Sequence, residues 1–297
     1  MIDGWLCLDK CDGISSNLAM IRARKFFQQK TGYVGTLDPF ATGVLPIAIG
    51  RARHFIKYLD EAVKTYCFSV KFGATTDSLD LTGAIIDEIN IVPTEQQIVD
   101  VLDDFCGTIE QMPPKFSAIK INGRRACDLT RLGKNVELTS RKVTIFSLNM
   151  TECNLKRDGT ASFEVTCSKG TYVRSLARDI AVRVGSLGYV TKLRRIKCGF
   201  FSINQSITLE KLQEMKDTKL LTSVLIPIDI PLVDIPEVSL KSSEVVALLQ
   251  GKTVQTNLSP CAHVRVYDED ERLFHGVCEI CDNGVIRPSS MYINEGE

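Results

Sequence analysis

Stretches with an apolar residue at every second position and stretches with the 3.6-residue period of a helix are mixed along this chain without regular alternation. Residues 65–73, TYCFSVKFG, alternate and are rich in aromatic and β-branched types, which predicts a strand. RKVTIFSLNMTECNL and GTASFEVTCSKGTYVR alternate like a pair of strands, and DGWLCLDK and GAIIDEINI read as shorter ones. GISSNLAMIRARKFFQQKTG opens on the N-cap types Ser15, Ser16 and Asn17 and runs at helical spacing to Gly32. TEQQIVDVLDDFCG starts with a capping box, Thr94 and Gln97, and SLARDIAVRVGSLG is a helix ended by Gly185 or Gly188. ITLEKLQEMKD is a short helix. Regular strand–helix alternation would indicate a doubly wound sheet; this mixture indicates an α+β fold.

With 297 residues the chain has room for about two domains. The expected boundary is LIPIDIPLVDIPEVSL, residues 225–240, where Pro227, Pro231 and Pro236 stiffen an extended linker. One unit then covers residues 1–230. A small β-rich unit covers residues 237–297, with a helix in SSEVVALLQGKTVQ and a hairpin in HVRVYDEDERLFHGVCEI. The N-terminus carries acids early and has no unbroken apolar stretch, so no secretory leader is expected. No apolar run reaches the roughly 18 residues of a membrane span. Eleven scattered cysteines suggest reduced thiols in a cytosolic protein. Thirty-six basic residues balance 36 acidic ones, which argues against bulk steering toward a polyanion but not against a local basic surface.

Residues 35–50, GTLDPFATGVLPIAIG, read as core and turn around one acid, Asp38. The local pattern alone favours a helix start, with Asp38 as N-cap and Pro39 as first helical residue. Phosphoryl-accepting chemistry of the common phosphatase type wants a second acid two residues on, and Phe40 stands there. A serine triad wants a G-x-S-x-G elbow, which the chain lacks. A lone carboxylate used as nucleophile or base remains, and it works best with a cation to hold its charge and an apolar wall against water.

GTLDPFATGVLPIAIG resembles the catalytic motif of the TruB family, the tRNA pseudouridine-55 synthases. Five further segments resemble that family's motifs in family order: LDKCDGISSN, TYCFSVKFGATTDSLDLTG, PPKFSAIKINGRRACDLTRLG, CSKGTYVRSLARDIA and LRRIKCGFF. The resemblance spans residues 5–200 and implies a central mixed, largely antiparallel sheet with flanking helices and a PUA-like C-terminal domain. It implies that Asp38 is the catalytic carboxylate, that Tyr66 packs on the target base, that Arg174 pairs with the aspartate, and that Leu193 lines the pocket. Attack on C1′, attack on C6 and proton abstraction from C2′ all stay open. Tyr33 stands where the family usually has a histidine that fills the stack left by the flipped base, and tyrosine can stack likewise. His54 stands for a usual lysine, Phe116 for tyrosine, Cys127 for an aromatic and Cys11 for proline.

Residues 112–134 carry Lys115, Lys120, Arg124, Arg125, Arg131 and Lys134; residues 192–197 carry Lys192, Arg194, Arg195 and Lys197. Beside these motifs, phosphate contact is expected, with Lys120, Arg124 and Arg194 as RNA-binding residues. Tyr172 is expected under the pocket in a structural role, and Asp77 and Asp80 as turn residues. Cys261, His263, His275, Cys278 and Cys281 include one C-x-x-C, and no metal is expected there. The implied partner is the T-arm of tRNA, with no cofactor, no membrane, no obligate protein partner, a monomer and a cytoplasmic location. The competing reading is a tRNA-binding folding chaperone using the same clefts.

Overall fold

The computed structural model describes residues 2–292 apart from positions 118, 122, 134, 135, 216, 217 and 271, so Lys134 lies outside the described residues. Nine strands form the main sheet: β1 (Gly4–Lys10), β2 (Thr31–Tyr33), β3 (Thr42–Ile49), β4 (Lys64–Phe72), β5 (Gly107–Gln111), β6 (Arg141–Asn154), β7 (Thr160–Cys167), β8 (Gly188–Cys198) and β9 (Phe201–Ser202). Their order is β1-β3-β8-β4-β7-β6-β5, with β2 on β3 and β9 on β8. Every described pairing is antiparallel except β3–β8, which joins Arg194 to Thr42 and Arg195 to Gly43. Gly43 has φ of +100°, and a Cβ there would lie 2.2 Å from the Arg195 carbonyl oxygen. Glycine is what lets these two backbones meet.

Three helices, α1 (Ser16–Phe27), α2 (Glu95–Leu102) and α3 (Val173–Arg183), share one apolar core with the sheet. Ala19, Ala23 and Phe27 of α1, Ile98 and Leu102 of α2, and Leu176 and Ile180 of α3 pack around the stacked rings of Phe68 and Phe163. The α1 cap is Ser15, whose hydroxyl accepts from Leu18 N at 3.1 Å. This helix ends earlier than Gly32, because Gln28 takes the left-handed conformation and the chain turns directly into β2. The Thr94–Gln97 capping box forms on α2. Helix α3 starts at Val173, two residues before the expected Ser175, which brings Arg174 into its first turn.

A second apolar cluster lines the other side of the β1–β3 end, built from Trp5, Val44, Phe55 and Phe201. It takes in Tyr267, Phe274 and Val277 of a separate five-stranded sheet. That sheet runs Glu237–Leu240, Cys261–Asp268, Phe274–Ile280, Val285–Met291, Val254–Gln255, with the first pair parallel and the rest antiparallel. Phe55 and Phe274 have ring centroids 5.5 Å apart. The linker is extended where it pairs with β1, exchanging two backbone hydrogen bonds of 2.8 Å between Ile226 and Trp5. Its last four residues differ from the expected linker: they are a strand, because Glu237–Leu240 adds to the edge of Cys261–Asp268.

None of the eleven cysteines forms a disulfide. Among the described residues no helix is long and apolar enough to cross a membrane, and no three His, Cys, Asp or Glu side chains draw together as metal ligands. His263 packs edge-on against Tyr58, and the Cys261 thiol donates to the His263 carbonyl.

Candidate active site

Asp38 does not start a helix. Residues 38–41 form a single turn, closed by Ala41 N donating to Asp38 O at 3.1 Å, and β3 follows at once. The carboxylate caps nothing because both of its chain neighbours are pinned by distant groups. The Ser16 hydroxyl accepts from Leu37 N at 2.8 Å and donates to Leu37 O at 2.9 Å. The fully buried Lys10 ammonium donates to Cys11 O, Ile14 O and Pro39 O at 2.8, 2.7 and 3.0 Å. These three acceptors satisfy all of its N–H groups, so this buried charge is a brace for the turn.

So held, the Asp38 side chain meets Arg174. Nε donates to Oδ2 at 2.8 Å and Nη2 to Oδ1 at 3.0 Å, the two-pronged geometry that fits a guanidinium to a carboxylate. The same guanidinium donates to Ser78 O at 2.8 Å and Phe116 O at 2.9 Å, and lies 3.4 Å from Asp80 Oδ2. Arg174 is 5% exposed at its side chain, and Asp38 is 34% exposed. The cation is structural filling and the anion keeps an open side. Burial pushes the Asp38 carboxyl above the usual carboxylate range; Arg174 and Lys10 pull it down, and Asp80 pushes it further up.

The open side is a cavity of about 480 Å³ lined by Asp38, Lys64, Tyr66, Tyr172, Leu193 and Arg195 among others. A second lobe of about 780 Å³ shares Asp38, Ser117 and Arg174 with the first and adds Tyr33, Phe40, Asp80 and Phe116. Asp38 therefore stands at the waist of one groove, and each lobe has a volume in the usual range for ligand sites. Tyr66 comes from β4 and Leu193 from β8, adjacent strands whose register brings Leu193 opposite Phe68 and Arg195 opposite Tyr66. Burial raises the Tyr66 phenol above its ordinary value, so it is a neutral hydroxyl near pH 7.

Asp38, Tyr66, Arg174 and Leu193 thus meet at one cavity, and Tyr33 lines the larger lobe. Tyr172 also lines the cavity, its ring lying 5.2 Å beneath the Arg141 guanidinium. Lys120 and Arg124 are exposed on a small hairpin that borders neither lobe. Arg194 is half-buried and committed to Asp9, with hydrogen bonds of 3.1 and 2.7 Å. Arg195, expected among the phosphate-binding cations, is fully buried. Its Nε donates to Val44 O at 2.7 Å and Nη2 to Gly35 O at 2.9 Å, so it stitches β8 to the segment around Asp38.

Asp80 is more than a turn residue. Its Oδ1 accepts from Ser78 Oγ, Thr82 N and Thr82 Oγ1, as a turn acid should, while Oδ2 faces Arg174. Lys10, Lys64 and Ser117 belong to the site without an expected role, and Ser16 and Asp80, expected as a cap type and a turn residue, belong to it as well. Ser117 Oγ is buried with no hydrogen-bond partner among the described residues. Lys10 and Ser16 lie within LDKCDGISSN, where a signal was present.

Comparisons with known proteins agree along the whole chain. A family model described as TruB family pseudouridylate synthase (N terminal domain) matches residues 23–173. Models described as tRNA pseudouridylate synthase B C-terminal domain and pseudouridine synthase II TruB, C-terminal, match residues 174–233 and 236–291. A protein of Novosphingobium aromaticivorans named tRNA pseudouridine synthase B is 42% identical over 262 residues, covering 86% of either chain. A protein of the same name from Aquifex aeolicus is 38% identical over 294 residues, covering 98% of this chain and all of its own. Among solved structures, one titled as a Cbf5-Nop10-Gar1 complex superposes with a TM-score of 0.73 at 22% identity, covering 98% of this chain and 85% of the other, a likeness of fold.

Proposed function

The chain belongs to the TruB family of pseudouridine synthases and is a tRNA-modifying isomerase, and on that premise we propose that it converts the T-loop uridine at position 55 with Asp38 as its catalytic carboxylate. The observation that carries this reading is an Asp38 carboxylate gripped from behind by Arg174 and one-third open to a cavity that Tyr66 and Leu193 also line.

The reaction breaks the C1′–N1 bond, turns the uracil and joins C5 to C1′; C5 loses a proton and N1 gains one. Atoms and charge balance within the substrate, so the isomerisation calls for no redox partner or group donor. Asp38 attacks C1′ or C6, or takes the C2′ proton. Tyr66 offers a ring face and a neutral hydroxyl to the base. Leu193 closes the cavity with an apolar wall that keeps the detached uracil from solvent. Reaching the base requires flipping it from the loop, at a cost of a few kcal/mol. Tyr33, which lines the larger lobe, stacks where the base was. The exposed Lys120 and Arg124 hairpin contacts the RNA backbone. The unit from residue 237 grips the acceptor side of the same tRNA, as a PUA-like domain. The enzyme works as a monomer, in the cytoplasm, where its substrate is.

Tritium release from transcripts carrying [5-³H]uridine tests the reading. A tRNA transcript is expected to release one tritium per molecule, and the same transcript with cytidine at position 55 none. Equal release from both would mean that another uridine is the target.

The pH profile is a second test. The working form of Asp38 is the anion, and its folded pKa is raised by burial. A raised carboxyl pKa means that the proton returns sooner as pH falls. Activity should therefore fall on acidification at a pH above the ordinary aspartate value of about 3.9. Single-turnover rates measured downward from about pH 8 check this. An acid limb at or below the ordinary aspartate value would contradict the buried-carboxylate account.

A further inference from the structure

The two buried lysines near Asp38 are satisfied very differently. Lys10 has three carbonyl acceptors within 3.0 Å. Lys64 is 6% exposed, yet among the described residues its ammonium makes one long hydrogen bond, 3.5 Å to Asp60 O. An ammonium has three donors, and leaving two unmet in a buried place is costly. Lys64 opens β4 and lies two residues before Tyr66, so both side chains leave the same face of the strand and line the same cavity. Opposite them is Gly35, with φ of +66°. A Cβ there would lie 3.0 Å from Arg195 Nη1 and 3.7 Å from Lys64 Cε. A larger residue there would crowd the ends of both cations.

The charges facing Lys64 are unbalanced. The cavity is lined by Lys64, Lys169, Arg174 and Arg195 against Asp38 and Asp60. Asp38 is engaged by Arg174, and Lys169 pairs with Glu61. Arg195 is held by carbonyls. From the neighbouring strands Lys64 meets two thiols, Cys167 on β7 and Cys198 on β8, and on its own strand the neutral Tyr66. Of the lining carboxylates only Asp60 is left to Lys64, and among the described residues the ammonium makes no hydrogen bond beyond the long one to Asp60 O.

We propose that Lys64 is a substrate-contacting residue whose ammonium meets the uracil carbonyl oxygens of the flipped nucleotide and holds the negative charge that develops on the ring. The inference rests on the reading of Asp38 as the catalytic carboxylate, but not on which route Asp38 takes. Attack on C1′ or removal of the C2′ proton breaks C1′–N1 with its electron pair leaving on uracil, whose anion spreads over O2 and O4. Attack on C6 pushes the C5–C6 pair toward O4. In each route an oxygen of the ring gains charge that the ground state lacks, and a preorganised cation there favours the transition state over bound substrate.

The test compares Lys64→Met, Lys64→Arg and Asp38→Asn with wild type, using full-length tRNA transcript. Lys64→Met is expected to lower the single-turnover rate by about 100-fold, with tRNA affinity changed less than about threefold. Lys64→Arg restores a cation and recovers the rate to within about tenfold of wild type. The pH profile adds a readout that a packing role would not move. Burial lowers the Lys64 pKa from the ordinary lysine value, with Arg195 adding to the effect and Cys198, Cys167 and Asp60 opposing it. The wild-type rate should then fall as pH rises through that lowered pKa, and Lys64→Arg, which stays charged, should lose this alkaline limb. Should Lys64→Met fail to fold, the Lys64→Arg profile decides alone. Weaker tRNA binding with an unchanged rate would overturn the proposal in favour of a phosphate contact. A wild-type rate in Lys64→Met with Asp38→Asn inactive would overturn it and leave the Asp38 reading standing. Activity in Asp38→Asn would remove the reading beneath it.

Discussion

Asp38→Asn should leave a folded protein that binds tRNA and releases no tritium from it. The expected loss is about 10⁴-fold or more in single-turnover rate, as for removal of other nucleophiles or bases that act as a unit with their partners. The amide keeps the shape of the carboxylate and can still accept one hydrogen bond from Arg174. It carries no charge and is a poor nucleophile and base. The fold should tolerate the change for two reasons visible in the site. Burial already penalises the Asp38 anion, so a neutral replacement removes a cost as well as a pairing. Arg174 is not orphaned, because Asp80 remains 3.4 Å away and the carbonyls of Ser78 and Phe116 stay within 2.9 Å. Removing one negative charge from the groove should leave tRNA affinity equal or slightly higher. Asp80 is a poor substitute for the reaction: one of its oxygens is taken by Ser78 and Thr82 and the other faces Arg174. Turnover within tenfold of wild type would remove Asp38 from the chemistry. Another group in the groove would then carry the reaction.

The parts of this fold that local pattern made legible are those whose partners lie in the same element. Alternation marked β4, β6 and β7, and the caps Ser15 and Thr94 marked α1 and α2. Periodicity failed where distant backbone decides. GVLPIAIG looked like core and turn, and it is β3, next to the sheet's edge strand β1 and briefly parallel to β8. LRRIK looked like a basic surface, but β8 is central, and the two-residue period sends Arg195 inward while Arg194 goes to Asp9. Burying an arginine is possible there because Val44 and Gly35 present carbonyls to it, an arrangement set by residues 160 and 151 positions away. Asp38 shows the same limit. Asp-Pro satisfies the local rule for a helix start, yet Ser16 and Lys10 fix its neighbours and Arg174, 136 residues on, takes its oxygens. The resemblance to family motifs carried what local pattern could not, since it marks residues by position rather than by local preference. It assigned no role to Lys10, Ser16 or Lys64, although all three lie in or beside the quoted segments.

Arg174→Met should be the most destabilising single change in the site, by about 3–5 kcal/mol, because it leaves buried charges unpaired instead of removing them. One guanidinium joins Asp38 on the turn before β3, Asp80 and Ser78 on the segment after β4, and Phe116 on the segment after β5. Its loss strands two carboxylates and two carbonyls at once. The deficit should depend on pH with a definite sign. Without Arg174 the folded pKa of Asp38 rises further above that of the unfolded chain, so the folded state binds more protons. Stability then falls as pH rises, and the deficit against wild type should be largest near pH 7 and shrink toward about pH 5. Adding Asp38→Asn to Arg174→Met should recover part of the loss, since the double variant strands one carboxylate instead of two. Thermal denaturation of the four proteins at two pH values measures all of this. Equal melting temperatures for Arg174→Met and wild type, or a deficit that does not change with pH, would show that the guanidinium is not what holds these segments together. If the double variant melts no higher than Arg174→Met, the stranded charge of Asp38 is not the cause, and the lost carbonyl contacts to Ser78 and Phe116 carry the cost.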